Sequence, residues 1–334
     1  MNEAKAPSKA KQRATTSNKG AAPLWKWGTA GAAAGAALAA TALFNRSRAK
    51  RAERNNPPLG AFLSVGGTRL HYVERGKGEP LVLLHGIGTM IEDWIVSGLL
   101  DELAKTNRVV AFDRPGFGHS ERPRSRIWTP TAQAGLLAEA FAELGLEKPL
   151  VVGHSFGAIV ALALAIHQPK AVSGIVLIGG YYYPSVRGDV LLVAPPAVPG
   201  IGDVMRHTIS PLLGSALAPR INAKIFSPAP VPERWTREFP MEMALRPSQI
   251  RAEAAEQGMM IPAAAALASR YGELSLPVTI IAGEGDAIVD ASQPQLFHQA
   301  LPQSRYVQLE GSGHMVHHTA PDAVIAAIRE TPRQ

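Results

Sequence analysis

Residues 150–165 read Leu-Val-Val-Gly-His-Ser-Phe-Gly-Ala-Ile-Val-Ala-Leu-Ala-Leu-Ala. The apolar pattern changes period at Gly153-His154-Ser155-Phe156-Gly157: a strand-like run leads in, and a run with helical composition follows. This predicts a strand, a sharp turn and a helix, with Ser155 at the turn. The pentapeptide fits G-x-S-x-G, a pattern that is weak on its own. Its position strengthens it, because a tight strand-to-helix turn lifts a serine oxygen above the sheet edge. Flanking glycines suit a turn in which backbone segments approach too closely for a Cβ. The following helix would present its positive end to any anion formed at Ser155.

A serine hydroxyl is a poor nucleophile until a positioned base takes its proton, and that base is best held by a carboxylate. Candidates for both lie downstream at strand ends. Asp286 follows "PVTIIAG" (277–283), and His314 follows "RYVQLE" (305–310). Asp290 and, more remotely, Asp189 compete for the acid. His317 and His318 compete with His314, which directly follows Gly313.

Other apolar runs place these residues in a larger pattern. "AFLSV" and "TRLHYVE" flank Gly66-Gly67 as a hairpin, and "PLVLLH" (80–85), "RVVAFD" (108–113) and "SGIVLIGG" (173–180) read as further strands. Helical stretches near 92–106, 131–145, 156–167, 292–301 and beyond 320 lie between or after them. The central strands are apolar on both faces, which predicts a mostly parallel, doubly wound α/β sheet covered by helices. Between residues 180 and 276 there is no strand-like alternation. A structureless loop of that length is implausible, so an inserted helical cap is expected over 181–274, with the core formed by 59–180 and 275–334.

Five separate motifs make the chain resemble the α/β-hydrolase family, in its capped branch with a serine nucleophile. They are "LLHGIG" (83–88), "FDRPGFGHS" (112–120), "GHSFG" (153–157), "GEGDAIV" (283–289) and "GSGHM" (311–315). The family order of serine, acid and histidine matches Ser155, Asp286 and His314. The resemblance implies Ser155 as nucleophile, His314 as general base and Asp286 as the group orienting its imidazole. It implies the backbone N–H groups of Ile87 and Phe156 as oxyanion donors. His71, His85, His154, Asp113, Arg114 and Ser120 read as scaffold.

The activity expected is cofactor-independent hydrolysis of a small or medium apolar carboxylic ester, or a related acyl compound, through an acyl-enzyme. A carbon–carbon bond hydrolase or a perhydrolase would use the same three residues. A non-catalytic binding protein on this scaffold is the alternative from another class. Phe156 is expected to crowd the site. Tyr181, Tyr182 and Tyr183, with Met205, Met241, Met243, Met259 and Met260, could line a pocket or simply pack.

Composition narrows the partners. No cysteine is present, so disulfides, thiolate metal sites and a cysteine nucleophile are excluded. No metal, nucleotide or flavin motif is evident, and no oligomeric state follows from the pattern. The net charge of +7 resides in the leader: residues 1–57 hold eleven Lys or Arg against Glu3 and Glu53, or +9, which leaves −2 for the rest. The globular part therefore has no field that would draw it to nucleic acid.

Residues 1–26 read as disordered. Residues 28–44, "GTAGAAAGAALAATALF", lie between Trp25 and Trp27 and a basic cluster. As a helix they would reach about 25 Å, slightly under the roughly 30 Å hydrocarbon core. A membrane anchor through this segment is the leading expectation. A cleaved secretory signal, with a secreted or periplasmic product, and a cytoplasmic protein are the alternatives.

Overall fold

The computed structural model describes Met1, residues 24–186, Gly188 and residues 190–334. The disordered reading of the first residues falls almost wholly outside them, as does Asp189. The chain divides into two compact units, residues 1–40 and residues 41–334.

The second unit is built on one eight-stranded sheet. Its strands are β1 Ala61–Val65, β2 Thr68–Arg75, β3 Glu79–Leu84, β4 Asn107–Phe112, β5 Leu150–His154, β6 Gly174–Ile178, β7 Val278–Gly283 and β8 Arg305–Leu309. Their spatial order is β1-β2-β4-β3-β5-β6-β7-β8. β2 pairs antiparallel with β1 and β4, and all other pairs are parallel. Gly66 and Gly67, at φ 53° and 68°, make the two-residue turn of the expected hairpin.

Inward and outward residues of the central strands are equally buried, as a covered parallel sheet requires. Val82, Leu84, Val151, Ile175 and Leu177 pack with the helices Pro130–Glu143 and Phe156–His167. Leu81, Leu83, Val152, Val176 and Ile178 face the other way, toward Leu99–Ala104 and Pro321–Arg329. The helical stretch expected near 92–106 is two short helices, Ile91–Val96 and Leu99–Ala104, because Gly98 turns left-handed between them at φ 83°.

From β3 the chain moves to β4 on one side, then returns to β5 on the other. The carboxyl ends of β3 and β5 therefore flank the point where winding reverses, which is where open α/β sheets hold their ligands. Between β6 and β7 the described residues form helices, the longest being Ile209–Phe226 and Pro247–Ala268, and no strand.

The membrane-spanning expectation for residues 28–44 does not hold. They lie within the helix Leu24–Asn55, and among the described residues no helix is long and apolar enough to cross a membrane. The reason is composition: Ala and Gly gain far less from lipid than Leu or Ile, and the helix continues into Arg46, Arg48, Lys50, Arg51 and Arg54.

Candidate active site

Ser155 sits between the end of β5 and the helix Phe156–His167 at φ 52° and ψ −115°, a backbone state rare for a residue with a Cβ. Such a conformation costs on the order of 1–3 kcal/mol and persists only where its surroundings impose it. They do so here. The Ser155 N–H donates to the Ile178 carbonyl at 2.8 Å. A Cβ on Gly153 would lie 2.3 Å from the Gly157 oxygen, and one on Gly157 would lie 2.2 Å from the Leu84 oxygen. Both flanking glycines are therefore required by close packing of the backbone.

Asp286 and His314, 28 residues apart, meet: His314 Nδ1 donates to Asp286 Oδ2 at 2.8 Å. Asp286 Oδ1 accepts from the Ile288 and Val289 amides at 2.8 and 3.0 Å. Burial by itself would raise the Asp286 carboxyl, but the charge and hydrogen bond of His314, with these two amides, outweigh it and hold the group below its ordinary value. Because Nδ1 carries the donated proton, Nε2 of a neutral His314 is left as a lone pair.

The elbow and the histidine loop meet through His154, which precedes Ser155. Its ring lies 4.9 Å from that of His314, and its Nε2 donates to the His314 carbonyl at 3.2 Å. Burial, with the neighbouring His317 and His314, holds the His154 imidazole well below the ordinary histidine range.

The competing residues have other partners. Asp290 caps Ser292, accepting from its N–H at 2.8 Å. His317 and His318 both turn to the buried carboxylate of Asp93, at 3.0 and 2.6 Å.

The loop after β3 brings Gly86 against the elbow, where a Cβ would lie 3.2 Å from Ser155 Cβ. Arg114 holds that loop: Nε donates to the His85 carbonyl at 2.7 Å and Nη2 to the Gly86 carbonyl at 3.0 Å. His85 completes the clamp, donating from Nδ1 to Gly86 O and accepting the Arg114 N–H on Nε2. Burial and the Arg114 charge lower its pKa to about 4, so it stays neutral. In a trans peptide the N–H points opposite to the C=O. Clamping the Gly86 carbonyl therefore fixes the direction of the Ile87 N–H.

The sequence reads Arg114 as scaffold and gives no sign of its partner Glu256. Glu256 is fully buried in the helix Pro247–Ala268 and accepts from Arg114 at 2.7 Å and from Gln133 at 2.8 Å. The Asp113-Arg114-Pro115-Gly116 run contains the arginine, but its carboxylate lies 142 residues away, where no local pattern marks it.

Phe156 does not crowd the site as expected. Its ring is fully buried in the core with the Arg114 guanidinium 5.2 Å above it. Tyr182 stacks on Phe297 at 4.5 Å, and Met243 packs with Phe226 and Trp235. These residues pack the interior.

A model of the alpha/beta hydrolase fold matches residues 79–321, most of the chain. The chain belongs to the α/β-hydrolase family. This α/β hydrolase is 36% identical over 140 residues to 2-hydroxymuconate semialdehyde hydrolase of Pseudomonas sp. (strain CF600), covering 41% of this chain and only 50% of that protein. It is 29% identical over 276 residues to an uncharacterized protein of Mycobacterium tuberculosis, 79% of this chain and 78% of that one. Among solved structures, a bacterial membrane phospholipase A superposes with a TM-score of 0.61 at 22% identity, covering 92% of this hydrolase and 98% of that chain. A match over 92% of 334 residues is longer than residues 59–334, so it reaches into the helix Leu24–Asn55.

Proposed function

We propose that this hydrolase cleaves neutral carboxylic esters with apolar acyl groups through an acyl-enzyme on Ser155. The observation that carries the reading is the Asp286–His314 hydrogen bond joined, through His154, to a serine held at positive φ. Ser155 Oγ adds to the ester carbonyl as His314 Nε2 takes its proton. The Ile87 and Phe156 N–H groups receive the developing oxyanion, and His314 returns the proton to the departing alkoxide. Water repeats the sequence and releases the acid. Residues 181–274 form the cap that closes the site and shapes the acyl pocket.

Hydrolysis of an activated carbon–carbon bond, the reaction class suggested by the Pseudomonas relative's name, would use the same residues. A carboxylate-bearing substrate of that kind needs a cation to meet it. Arg114, which holds the loop carrying Ile87, and its neighbour Arg122 are both committed to Glu256, at 2.7 and 3.4 Å. The Glu253 carboxylate faces Gly88 from the cap side, where a Gly88 Cβ would lie 3.8 Å from its Oε1. With both arginines engaged on Glu256, neither is left to receive a substrate carboxylate, which favours an uncharged acyl substrate. Initial rates on p-nitrophenyl esters of graded chain length, against a vinylogous diketone carboxylate, test the choice. Preference for the diketone acid would reverse it.

Contact with a lipid surface fits the same molecule through exposed apolar side chains. Along Ile209–Phe226, residues Ile209, Leu212, Leu213, Leu217 and Ile221 recur at helical spacing, each 40–54% exposed. Exposed apolar stripes of this kind mark interaction surfaces. Asn45 donates to the Thr208 carbonyl at 2.6 Å, which brings the exposed Leu43 and Phe44 to the start of that helix. The structural similarity to a membrane phospholipase supports the same reading. Flotation with anionic vesicles tests it: a Leu213→Glu, Leu217→Glu variant should bind more weakly than wild type, and equal binding would remove the stripe from the account.

A further inference from the structure

Behind the catalytic elbow lies a buried group of side chains that neither transfer a proton nor meet the substrate in the hydrolytic mechanism. Asp93 comes from the helix Ile91–Val96, His154 from the end of β5, and His317 and His318 from the helix Val316–Thr319. Asp93 and His317 have no exposed surface, and His154 is 2% exposed.

Proton positions follow from the partners. His154 Nε2 faces the His314 carbonyl, which can only accept, so Nε2 carries the hydrogen and Nδ1 of the neutral ring is a lone pair. The Nε2 atoms of His317 and His318 both donate to Asp93 Oδ1, and in the neutral form that a metal ligand requires, His317 Nδ1 is a second lone pair. Asp93 Oδ2 is an acceptor too, and it lies 3.9 Å from His154 Nδ1. Among the described residues none of these three atoms has a hydrogen-bond partner. Two acceptors thus face each other in the interior with no protein donor between them. Left so, this arrangement costs desolvation without return.

We propose that Asp93, His154 and His317 bind a divalent transition-metal ion of the zinc class. One ligand atom from each side chain lies within 4.8 Å of the other two. Zinc–nitrogen and zinc–oxygen bonds of about 2.0–2.2 Å place tetrahedral ligands roughly 3.3 Å apart, so the 3.9 Å pair closes by a few tenths of an ångström. The outer contacts are those that metal-bound histidines commonly show, with the second ring nitrogen of His154 donating to a backbone carbonyl. Gly86 packs against this ring without a side chain, and a Cβ there would sit 2.9 Å from His154 Nδ1. The donor set of two imidazoles and one carboxylate suits zinc, cobalt or nickel rather than magnesium or calcium. The ion would tie together three segments packed around Ser155. It would be structural, because the ligands lie beneath the elbow and substrate reaches Ser155 from above the strand ends.

No spaced metal motif marks the site in the sequence, since its ligands come from three distant segments. The test is a Co²⁺ titration of the full-length protein after chelator treatment, followed by its visible absorption. Wild type should take up one equivalent and develop the bands of a low-coordinate nitrogen/oxygen site. Asp93→Asn and His317→Gln should each lose that spectrum, with folding checked by circular dichroism. X-ray absorption of cobalt-loaded wild type should show two imidazoles, a readout that needs no variant. Absence of a one-equivalent phase in wild type would overturn the proposal and assign the space to a water donating to Asp93 and His154. Retention of the spectrum in both folded variants would overturn the ligand assignment.

Discussion

Arg114 and Glu256 form a buried pair whose two halves carry separable consequences. Both side chains have no exposed surface, and Glu256 Oε1 accepts from Arg114 at 2.7 Å and Gln133 at 2.8 Å, with Arg122 further out at 3.4 Å. Removing one partner of such a pair leaves an uncompensated charge in the interior, which costs about 3–5 kcal/mol. Glu256→Gln keeps the shape and removes only the negative charge. It should lower stability by that amount, or Tm by about 6–10 °C at roughly 2 °C per kcal/mol for a chain of this size.

The catalytic effect of Glu256→Gln should be small, because Arg114 still donates to the His85 and Gly86 carbonyls. Arg114→Lys reverses the pattern. The ammonium still faces Glu256, so the charge balance survives, but one point donor cannot reproduce the fork on two carbonyls. The Ile87 N–H loses its fixed direction, and kcat on a p-nitrophenyl ester should fall on the order of 10²-fold, within the range for losing an oxyanion donor. Thermal melting and initial rates at a temperature where all three proteins are folded provide both axes. A Glu256→Gln protein within about 0.5 kcal/mol of wild type would refute the charge argument. A fully active Arg114→Lys protein would refute the carbonyl clamp.

Asp286→Asn should reduce kcat by about 10⁴-fold by unsettling the His314 tautomer, whereas Asp290→Asn should change it less than about twofold; steady-state kinetics decide between the two acids. Glu253 is pushed up to about 7 by burial and then by Glu256, above its ordinary 4.5. An acid whose folded pKa is raised loses stability as pH climbs from its unfolded value to its folded one, here from about 4.5 to about 7. Glu253→Gln should therefore gain about 1–3 kcal/mol over wild type at pH 8 and almost nothing at pH 4, measured by urea unfolding. Gly157→Ala drives a Cβ to 2.2 Å from the Leu84 oxygen, so it should destabilise the elbow by about 3 kcal/mol or more and reduce ester turnover.

The sequence made legible what is local. A period change around Gly153–Gly157 marks the elbow because strand and helix repeat differently, and Asp286 and His314 are visible because strand-end turns advertise themselves through glycine. The two glycines also have a single steric cause, which the structure states in ångströms. Contacts across the fold are another matter. Asp93 meets His317 across 224 residues, and Arg114 meets Glu256 across 142. Neither pair has a spacing that periodicity could reveal, and burial, which makes them consequential, is a property of the assembled sheet and helices. The leader misled for a related reason. Absence of charge over 28–44 resembled a membrane span, but Ala and Gly supply helix length without sufficient apolar surface.

The proposed chemistry stands on Ser155. Full-length protein treated with a fluorophosphonate and digested for mass spectrometry should carry the adduct on the peptide containing Ser155. Ser155→Ala should show none, and His314→Ala should label far more slowly because the hydroxyl loses its base. An adduct on another residue, or undiminished labelling and ester turnover in Ser155→Ala, would contradict the assignment of Ser155 as the nucleophile.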